Sequence, residues 1–246
     1  MVGAPAAPDA VARARRLPSL RVGLHVVLVD GRPVLPAASL PDLVDGTGRF
    51  RADMVRMGVD IFLRAKVRRQ LASEITAQFD AYRATGLPLD HVNAHKHFHL
   101  HPTVAGQILD IGARYGMNAV RVPAEPTDVL ARVEPQTSHP PALLTAPWTA
   151  LLRARVRRRG IAAPDRVFGL AWSGAMTESR IAGLLSQLAE GITEIYAHPA
   201  TSAGFEGANP AYRYADELAA LTSPAIRAAA LATGARLGGF TDFTVA

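Results

Sequence analysis

Short apolar runs alternate along the chain with longer segments whose apolar residues recur at helical spacing. The runs have the length of strands, and several are rich in valine and isoleucine. Strands are predicted at residues 21–28, 90–96, 119–122, 166–172, 192–198 and 236–243. Because helical segments separate these strands, the pattern indicates an α/β fold with mostly parallel strands.

The helical segments have recognisable starts and stops. Asp9 is a candidate N-cap for a short first helix. The stretch from Phe50 to Thr85 predicts one long helix or two helices broken at Gly58, and Gly116 is a candidate C-cap. Further helices are predicted at residues 102–115, 142–159, 181–189 and 224–233.

The composition supports a folded domain and limits its chemistry. The chain has 246 residues, of which 49% are hydrophobic, so intrinsic disorder is excluded and a single domain over residues 1–246 is the simplest expectation. It contains no cysteine. A disulfide scaffold, a thiolate zinc site and a cysteine nucleophile are therefore excluded, and any metal must be bound by nitrogen and oxygen atoms.

The excess of basic residues does not indicate a nucleic-acid partner. Lys and Arg total 27 against 21 Asp and Glu, but only Lys66 and Lys96 are lysines, which suggests biased codon usage. Nucleic-acid surfaces need clustered basic residues with aromatic residues between them, and only 6% of the residues are aromatic. No apolar stretch of about 20 residues occurs, and the first ten residues lack the basic start of a secretory signal. We therefore expect a cytoplasmic protein.

Polar and aromatic residues collect where the predicted strands end. His25 lies within the first strand, and His95, Arg121, Trp172 and His198 lie at or near the ends of later strands. In α/β folds the ligand site lies at the carboxyl ends of the strands, in open sheets and in barrels alike. These residues therefore form the candidate site.

A run of histidines from His91 to Pro102, with the sequence HVNAHKHFHLHP, carries the clearest chemical signal. Five of the eight histidines of the chain stand here at odd positions, so the part that is extended would point them to one face. Imidazole is the commonest metal ligand, so the run predicts a nitrogen-rich site for a divalent ion. A buried polar cluster is the alternative.

Three other histidines are ambiguous when taken singly. A lone histidine in an apolar strand, such as His25, is more often a hydrogen-bonded core residue than a ligand. His198 precedes a proline at a strand end, which is a common dipeptide, and His139 lies in a proline-rich loop that we expect at the surface.

Four segments in this order resemble the YdjC/ChbG-like carbohydrate deacetylases, and they cover nearly the whole chain. They are Gly23-Leu24-His25, the stretch AHKHFHLHP at 94–102, Arg121-Val122-Pro123, and EIYAHP at 194–199. The sequence NAHKHFHLHP at 93–102 is most similar to the hopanoid-biosynthesis-associated, HpnK-like branch.

The resemblance implies a metal-dependent hydrolase that removes an N-acetyl group from an amino sugar, with a glycosylated hopanoid lipid as one such substrate. It implies a (β/α) barrel-like fold, a Mg or Zn ion held by His25 and His95, and His198 as the acid/base. The remaining candidate substrate-binding residues are His97, His99, Arg121 and Trp172, of which Trp172 would stack on a sugar ring.

The chain also departs from the family pattern. Asn93-Ala94 stand where the family has Asp-Ser, and Ala200 follows His198-Pro199 where the family has glycine. The Asp-Asp-x-Gly element of the family, a metal ligand and a general base, is absent. The resemblance therefore implies an N-terminally incomplete domain that lacks a strand-helix-strand unit of about 30 residues or more. Either the coding sequence starts further upstream or the chain is a natural remnant.

Two rival functions stay open. The chain could be a non-catalytic remnant with residual metal binding, or another metal-dependent hydrolase such as a phosphoesterase. The segment Pro140–Arg159 combines leucines with five arginines, so contact with the inner membrane stays open beside an ordinary amphipathic helix. The oligomeric state is not indicated by the sequence.

Overall fold

The protein is described by a computed structural model for residues 1–135 and 142–243, with side chains from residue 145 onward in the second range. The predicted surface position of His139 and the first two residues of the Pro140–Arg159 segment lie outside the described residues. The chain divides into two compact units. The first comprises Met1–Arg121, Trp148–Ala163 and Gly238–Ala246, and the second comprises Val122–Pro147 and Pro164–Leu237.

Helices and short strands alternate along the described chain. The strands are β1 (Leu24–Val26), β2 (Val92–Ala94), β3 (Arg166–Phe168) and β4 (Thr193–Ile195). The helices are α1 (Ala7–Arg15), α2 (Met54–Leu63), α3 (Ala65–Ala84), α4 (Pro102–Ala113), α5 (Thr127–Val133), α6 (Ala142–Arg158), α7 (Glu178–Leu185), α8 (Tyr214–Thr222) and α9 (Pro224–Ala232). Short 3-10 helices lie at Ala37–Ser39, His95–Leu100 and Phe240–Phe243.

The first unit is built on parallel chain segments. β1 pairs with β2 in parallel, and His25 lies opposite Asn93 in the register. Val92 forms a further parallel bridge to Val120, and Ala119 forms one to Ala162. The predicted third strand, 119–122, is therefore reduced to single-residue bridges.

Helix α3 packs against the rest of the first unit with an apolar face. A row of polar residues on the same helix binds the loop after β1. Its buried apolar residues recur every turn, from Val67 through Leu71 and Ile75 to Phe79. The polar residues one position before them bind loop backbone: Gln78 pairs with both polar groups of Val27, Glu74 accepts from the amides of Val34 and Leu35, and Gln70 accepts from the amide of Asp42.

The second unit has its own core around the parallel pair β3 and β4. Its buried residues come from β3, the loop after β3, α5, α7, α8 and α9, and they are Val129, Leu130, Phe168, Trp172, Met176, Ile181, Leu184, Ala220 and Ile226. Helices α5 and α8 were not predicted from the sequence.

Several predicted elements differ from the structure. The predicted strand 236–243 is wrong, because Phe240–Phe243 forms a 3-10 helix whose amides at Phe240 and Thr241 bind the Asp90 carboxylate. The helical stretch breaks at Arg64 and not at Gly58, since Arg64 has an extended backbone. Asp9 lies inside the first turn of α1, where it pairs with Arg13, and does not cap the helix.

The predicted mixed α/β architecture with parallel strands is confirmed. In residues 1–135 and 142–243 the strands form two parallel pairs, and no closed barrel is present among them. None of the described helices combines the length and the apolar character needed to cross a bilayer.

Candidate functional site

His25 and His95 are brought together in the first unit. The parallel register places His25 opposite Asn93, so His95 follows two residues later at the carboxyl end of β2. The Nε2 atom of His25 lies 3.4 Å from the Nδ1 atom of His95, and the two rings meet edge to face with centroids 5.6 Å apart. The structure therefore brings the two predicted metal-binding histidines into contact, and their binding of an ion stays a prediction.

The separation of these nitrogens fits a shared metal ion. Two imidazole nitrogens about 2.05 Å from one tetrahedral zinc ion are about 3.3 Å apart. The observed 3.4 Å matches that value and exceeds the usual length of a hydrogen bond. Nitrogen donors also suit zinc better than magnesium, which prefers oxygen.

The ligand set is nevertheless incomplete within the described residues. There, no group of three or more His, Asp or Glu side chains is arranged to hold an ion. If His25 and His95 bind an ion, they would supply two of the three protein ligands that are usual in catalytic zinc sites.

Asn93 fixes the orientation of the His25 ring. The Nδ1 atom of His25 lies 2.5 Å from Asn93 Oδ1, which can only accept, so the proton of His25 is assigned to Nδ1 and the lone pair to Nε2. Burial lowers the pKa of His25 to about 3, against the opposing effect of the Asn93 hydrogen bond. The ring is therefore neutral near pH 7, as a metal ligand must be.

The histidine run does not stay extended, so the expectation of one shared face is wrong beyond Ala94. A 3-10 helix starts at His95, and Lys96 and His97 adopt left-handed backbone angles, with φ of 51° and 52°. This conformation is uncommon for residues other than glycine. It turns the chain toward α4 and separates the directions of the later histidines.

His99 and His101 serve as structural residues. His99 is 1% exposed, and its Nε2 donates to the backbone oxygen of Arg121 at 2.9 Å. This burial gives no support to its predicted role in substrate binding, which stays a prediction. His101 donates from Nε2 to the backbone oxygen of Gly58 at 3.1 Å and links α2 to the start of α4.

His97 and Arg121 lie close to this group. The ring of His97 is half-buried with its centroid 6.1 Å from that of His99. Arg121 is buried, and its positive charge adds to the effect of burial in lowering the pKa of both His25 and His99. The charge of this guanidinium favours negative charge near His25.

Sequence reasoning missed the polar residues behind Asn93. The Nε2 atom of His91 lies 3.3 Å from Asn93 Nδ2, and its Nδ1 lies 2.8 Å from Asp90 Oδ2. Burial by itself raises the pKa of the Asp90 carboxyl, but hydrogen bonds from Thr241, His91 and Phe240 outweigh it, so this pKa lies below its ordinary value. Asp90 and His91 stand at the start of the predicted strand 90–96, directly before the apolar Val92. Polar residues at that position were the signal in the sequence that could have identified them.

In the second unit, His198 is exposed on a backbone that a buried carboxylate holds. The amide of His198 donates to Glu217 Oε2 at 2.6 Å, and the amide of Met176 donates to Glu217 Oε1 at 2.8 Å. Glu217 is fully buried. The segment around the predicted acid/base is thus anchored to α8 and to the chain before α7.

Aromatic residues surround His198. Its ring centroid lies 5.6 Å from that of Tyr196 and 5.1 Å from that of Tyr212. The hydroxyl of Tyr212 is 2.8 Å from Ser173 Oγ, and Tyr212 also lines an open surface depression together with Arg213 and Asp216.

Trp172 does not take part in such a surface. It is 3% exposed within the core of the second unit, and the guanidinium of Arg180 lies over its ring, 5.1 Å from the centroid. This burial and the Arg180 contact give no support to its predicted role in sugar stacking, which stays a prediction.

The segment Pro140–Arg159, for which membrane contact was one alternative, forms α6 from Ala142 onward, and α6 buries Leu152 and Val156. Arg155 donates to the backbone oxygen of Pro102, and Arg159 pairs with Asp110 at 2.6 Å. Exposed apolar residues also lie on α2, at Val55, Val59, Phe62 and Leu63, with 79%, 52%, 62% and 69% exposure.

Comparison with known proteins gives a family. The sequence profile described as YdjC-like protein matches residues 1–232. A carbohydrate deacetylase of Geobacillus stearothermophilus is 28% identical over 246 residues, which covers 99% of this chain and 84% of that protein. A carbohydrate deacetylase of Brevibacillus brevis is 38% identical over 106 residues, which covers 43% of this chain and 40% of that protein.

A solved structure shares the fold. It is a crystal structure from Enterococcus faecalis V583, described as a cellobiose-phosphate cleavage protein, and the TM-score is 0.73. The alignment covers 100% of this chain and 86% of that chain at 21% sequence identity. At this identity the likeness concerns the fold alone.

Proposed function

This chain belongs to the YdjC-like protein family, and from that membership we propose that it is a carbohydrate deacetylase that removes an N-acetyl group from an amino sugar. Relatives of that name in two other bacteria support the activity. The observation that carries the proposal is the His25–His95 pair, whose nitrogens are separated by the distance that a shared ion requires.

In this proposal His25 and His95 hold a divalent ion, with zinc favoured over magnesium. Such an ion, when bound, supplies polarisation of an acyl carbonyl and a more acidic water molecule. Asn93 keeps the Nε2 lone pair of His25 directed at the ion by accepting the Nδ1 proton. Arg121, a buried residue whose charge acts on His25, would favour negative charge that develops on the substrate oxygen.

His198 is the proposed proton donor to the departing amine. Imidazole both binds and releases a proton near neutral pH, which suits an acid/base residue. The exposed ring is available to a ligand, and the Glu217 anchor limits the movement of its backbone. Tyr212, next to His198, is better placed to contact a sugar than the buried Trp172, and His97 remains a candidate for substrate binding.

The finer proposal concerns the substrate. The resemblance of the NAHKHFHLHP segment to a hopanoid-associated branch suggests an amino sugar on a lipid. The exposed apolar side of α2 supports an apolar partner near the histidines, because Phe62 of that side has its ring centroid 6.5 Å from that of His101. In this proposal α2 contacts the bilayer that holds the substrate.

Acetate release tests the activity. Metal-free protein would be given zinc or magnesium and an N-acetylated amino-sugar glycoside, with and without a lipid aglycone. We expect release with metal, and loss of release in His25→Ala, His95→Ala and His198→Asn. Release that is equal in the absence of metal would contradict the role of the ion, and release that persists in His198→Asn would contradict the assigned acid/base.

A non-catalytic role is the alternative that one observation favours. The described residues offer no third metal ligand beside the histidine pair, and the sequence contains no adjacent aspartates. Zinc binding without acetate release from any acetylated sugar would support this alternative. Release of phosphate from a phosphate ester would instead support a phosphoesterase.

A further inference from the structure

We propose that the C-terminal segment 239–242 positions the ring of His25 through a polar relay of Asp90, His91 and Asn93. The proposal rests on the proposed function in one respect, which is the role of His25 as a metal ligand. It concerns residues that contact neither the ion nor the substrate, and it adds the end of the chain to the site.

The relay is a continuous line of short contacts. Asp90 Oδ2 lies 2.8 Å from His91 Nδ1, and His91 Nε2 lies 3.3 Å from Asn93 Nδ2. Asn93 Oδ1 lies 2.5 Å from His25 Nδ1. All four residues are buried or half-buried, so water competes weakly for these contacts.

The order of donors and acceptors gives the relay one direction. Asp90 accepts, so His91 carries its proton on Nδ1 and offers a lone pair at Nε2. That lone pair takes a proton from the Asn93 amide, which leaves the Asn93 oxygen facing His25. His25 then donates from Nδ1 and keeps its lone pair at Nε2, toward His95. Asp90 thereby decides which His25 nitrogen can bind an ion.

The C-terminal segment holds Asp90 and His91 in place. The amides of Phe240 and Thr241 each donate to the Asp90 carboxylate at 3.0 Å, and the Thr241 hydroxyl donates at 2.7 Å. The ring of Phe240 stacks on that of His91 with centroids 4.1 Å apart and an interplanar angle of 17°. The segment therefore constrains the Asp90 carboxylate and the plane of the His91 ring at the start of the relay.

Two glycines leave space for this arrangement. A Cβ atom at Gly23 would lie 2.6 Å from His91 Cε1, and one at Gly239 would lie 2.7 Å from Asp90 Oδ1. Both distances are too short for a real contact. A side chain at Gly23 would displace His91, and one at Gly239 would crowd both Arg21 and Asp90.

The experiment separates positioning from simple stabilisation. His91→Phe keeps a ring to stack on Phe240 and removes both relay hydrogen bonds. A second variant, Phe240→Ala/Thr241→Val, removes the stack and the hydroxyl. Thr85→Val is the matched control, because it removes a hydroxyl that binds nearby backbone in the same unit, away from the relay.

The first readout is the tautomer of His25 in the metal-free full-length protein, from the nitrogen-15 shifts of its ring. The second is zinc affinity by calorimetry, and the third is the melting temperature. We expect one tautomer in the wild type and in Thr85→Val. In the relay variants we expect a mixture and a zinc affinity lower by about 10- to 100-fold, the range for partners of metal ligands.

The outcomes distinguish this proposal from the proposed function. A lower melting temperature with an unchanged His25 tautomer and unchanged zinc affinity would contradict the relay. The segment 239–242 would then only stabilise the fold. If the wild type binds no zinc, the metal role of His25 fails, while the tautomer still decides the relay. Should His91→Phe not fold, Thr241→Val provides the same comparison, with rescue by Thr241→Ser.

Discussion

Glu217, buried in the second unit, accepts a hydrogen bond from the backbone amide of His198 at 2.6 Å. The side chain of His198 is exposed although its backbone is anchored in this way. The second oxygen of Glu217 binds the amide of Met176 at 2.8 Å, so both acceptor atoms are used. A carboxylate is the only side chain of this size that offers two acceptors and no donor.

Replacing Glu217 by glutamine should therefore destabilise the protein. The amide group of glutamine would face one of the two backbone N–H groups, which leaves a buried donor without an acceptor. We expect the free energy of unfolding to fall by about 1–3 kcal/mol in urea titrations. Glu190→Gln, at an exposed position, is the control and should unfold as the wild type does. An equal decrease in the free energy of unfolding of both variants would contradict the anchoring role of Glu217.

Zinc binding should depend on His25 and His95 and not on the number of histidines nearby. His25→Ala and His95→Ala each remove one of the two paired nitrogens, so we expect zinc affinity to fall by more than the 10- to 100-fold typical of indirect partners. His101→Ala is the control from the same run, because His101 binds the Gly58 carbonyl. Calorimetric titration of metal-free protein measures all three. The pair is not the site if His101→Ala loses as much affinity.

Stability should fall between about pH 6.5 and pH 4 in part because of His99. Burial lowers the pKa of His99 to about 4, below the value of about 6.5 in an unfolded chain. In this window the unfolded chain binds a proton that the folded protein does not, so acid favours unfolding, by up to about 1.4 kcal/mol per pH unit for one group. His99→Gln, which can still donate to the Arg121 carbonyl, should show a shallower slope in urea titrations across this window. A slope equal to that of the wild type would contradict the assignment.

Binding to lipid should depend on the exposed side of α2. The double variant Phe62→Ser/Leu63→Ser removes two large exposed apolar side chains, so we expect weaker co-sedimentation with vesicles of anionic phospholipid. Leu221→Ser/Leu231→Ser removes two leucines of 50% and 62% exposure from α8 and α9 and serves as the control. If the wild type does not co-sediment at low salt, or if both variants lose binding equally, α2 is not the contact surface.

The part of the site that sequence patterns predicted is the part that a parallel register enforces. Two apolar strands with a histidine in one and a histidine at the end of the other bring these residues together once they pair side by side, as His25 and His95 do. That inference needs only the period of a strand and the direction of the chain. The mixed α/β architecture followed from the same reasoning.

Other features depended on distant contacts that no local pattern contains. The period-two histidine run lost its shared face because Lys96 and His97 adopt left-handed angles. Asp90, about 150 residues away in sequence, determines the conformation of Phe240–Phe243. Trp172 is equally consistent, in sequence, with a ligand surface and with a core, and only its neighbours decide.

Helix α3 sets the spacing of the points at which the loop after β1 is held. Gln70, Glu74 and Gln78 stand one turn apart, so their side chains present anchor points about 6 Å apart along the helix axis. The loop meets these points in reverse order, at Val27, then Val34 and Leu35, then Asp42. Insertions in the loop between the anchored residues are compatible with this spacing. A deletion that prevents the loop from reaching the next anchor would instead leave a buried polar side chain of α3 without its hydrogen-bond partner.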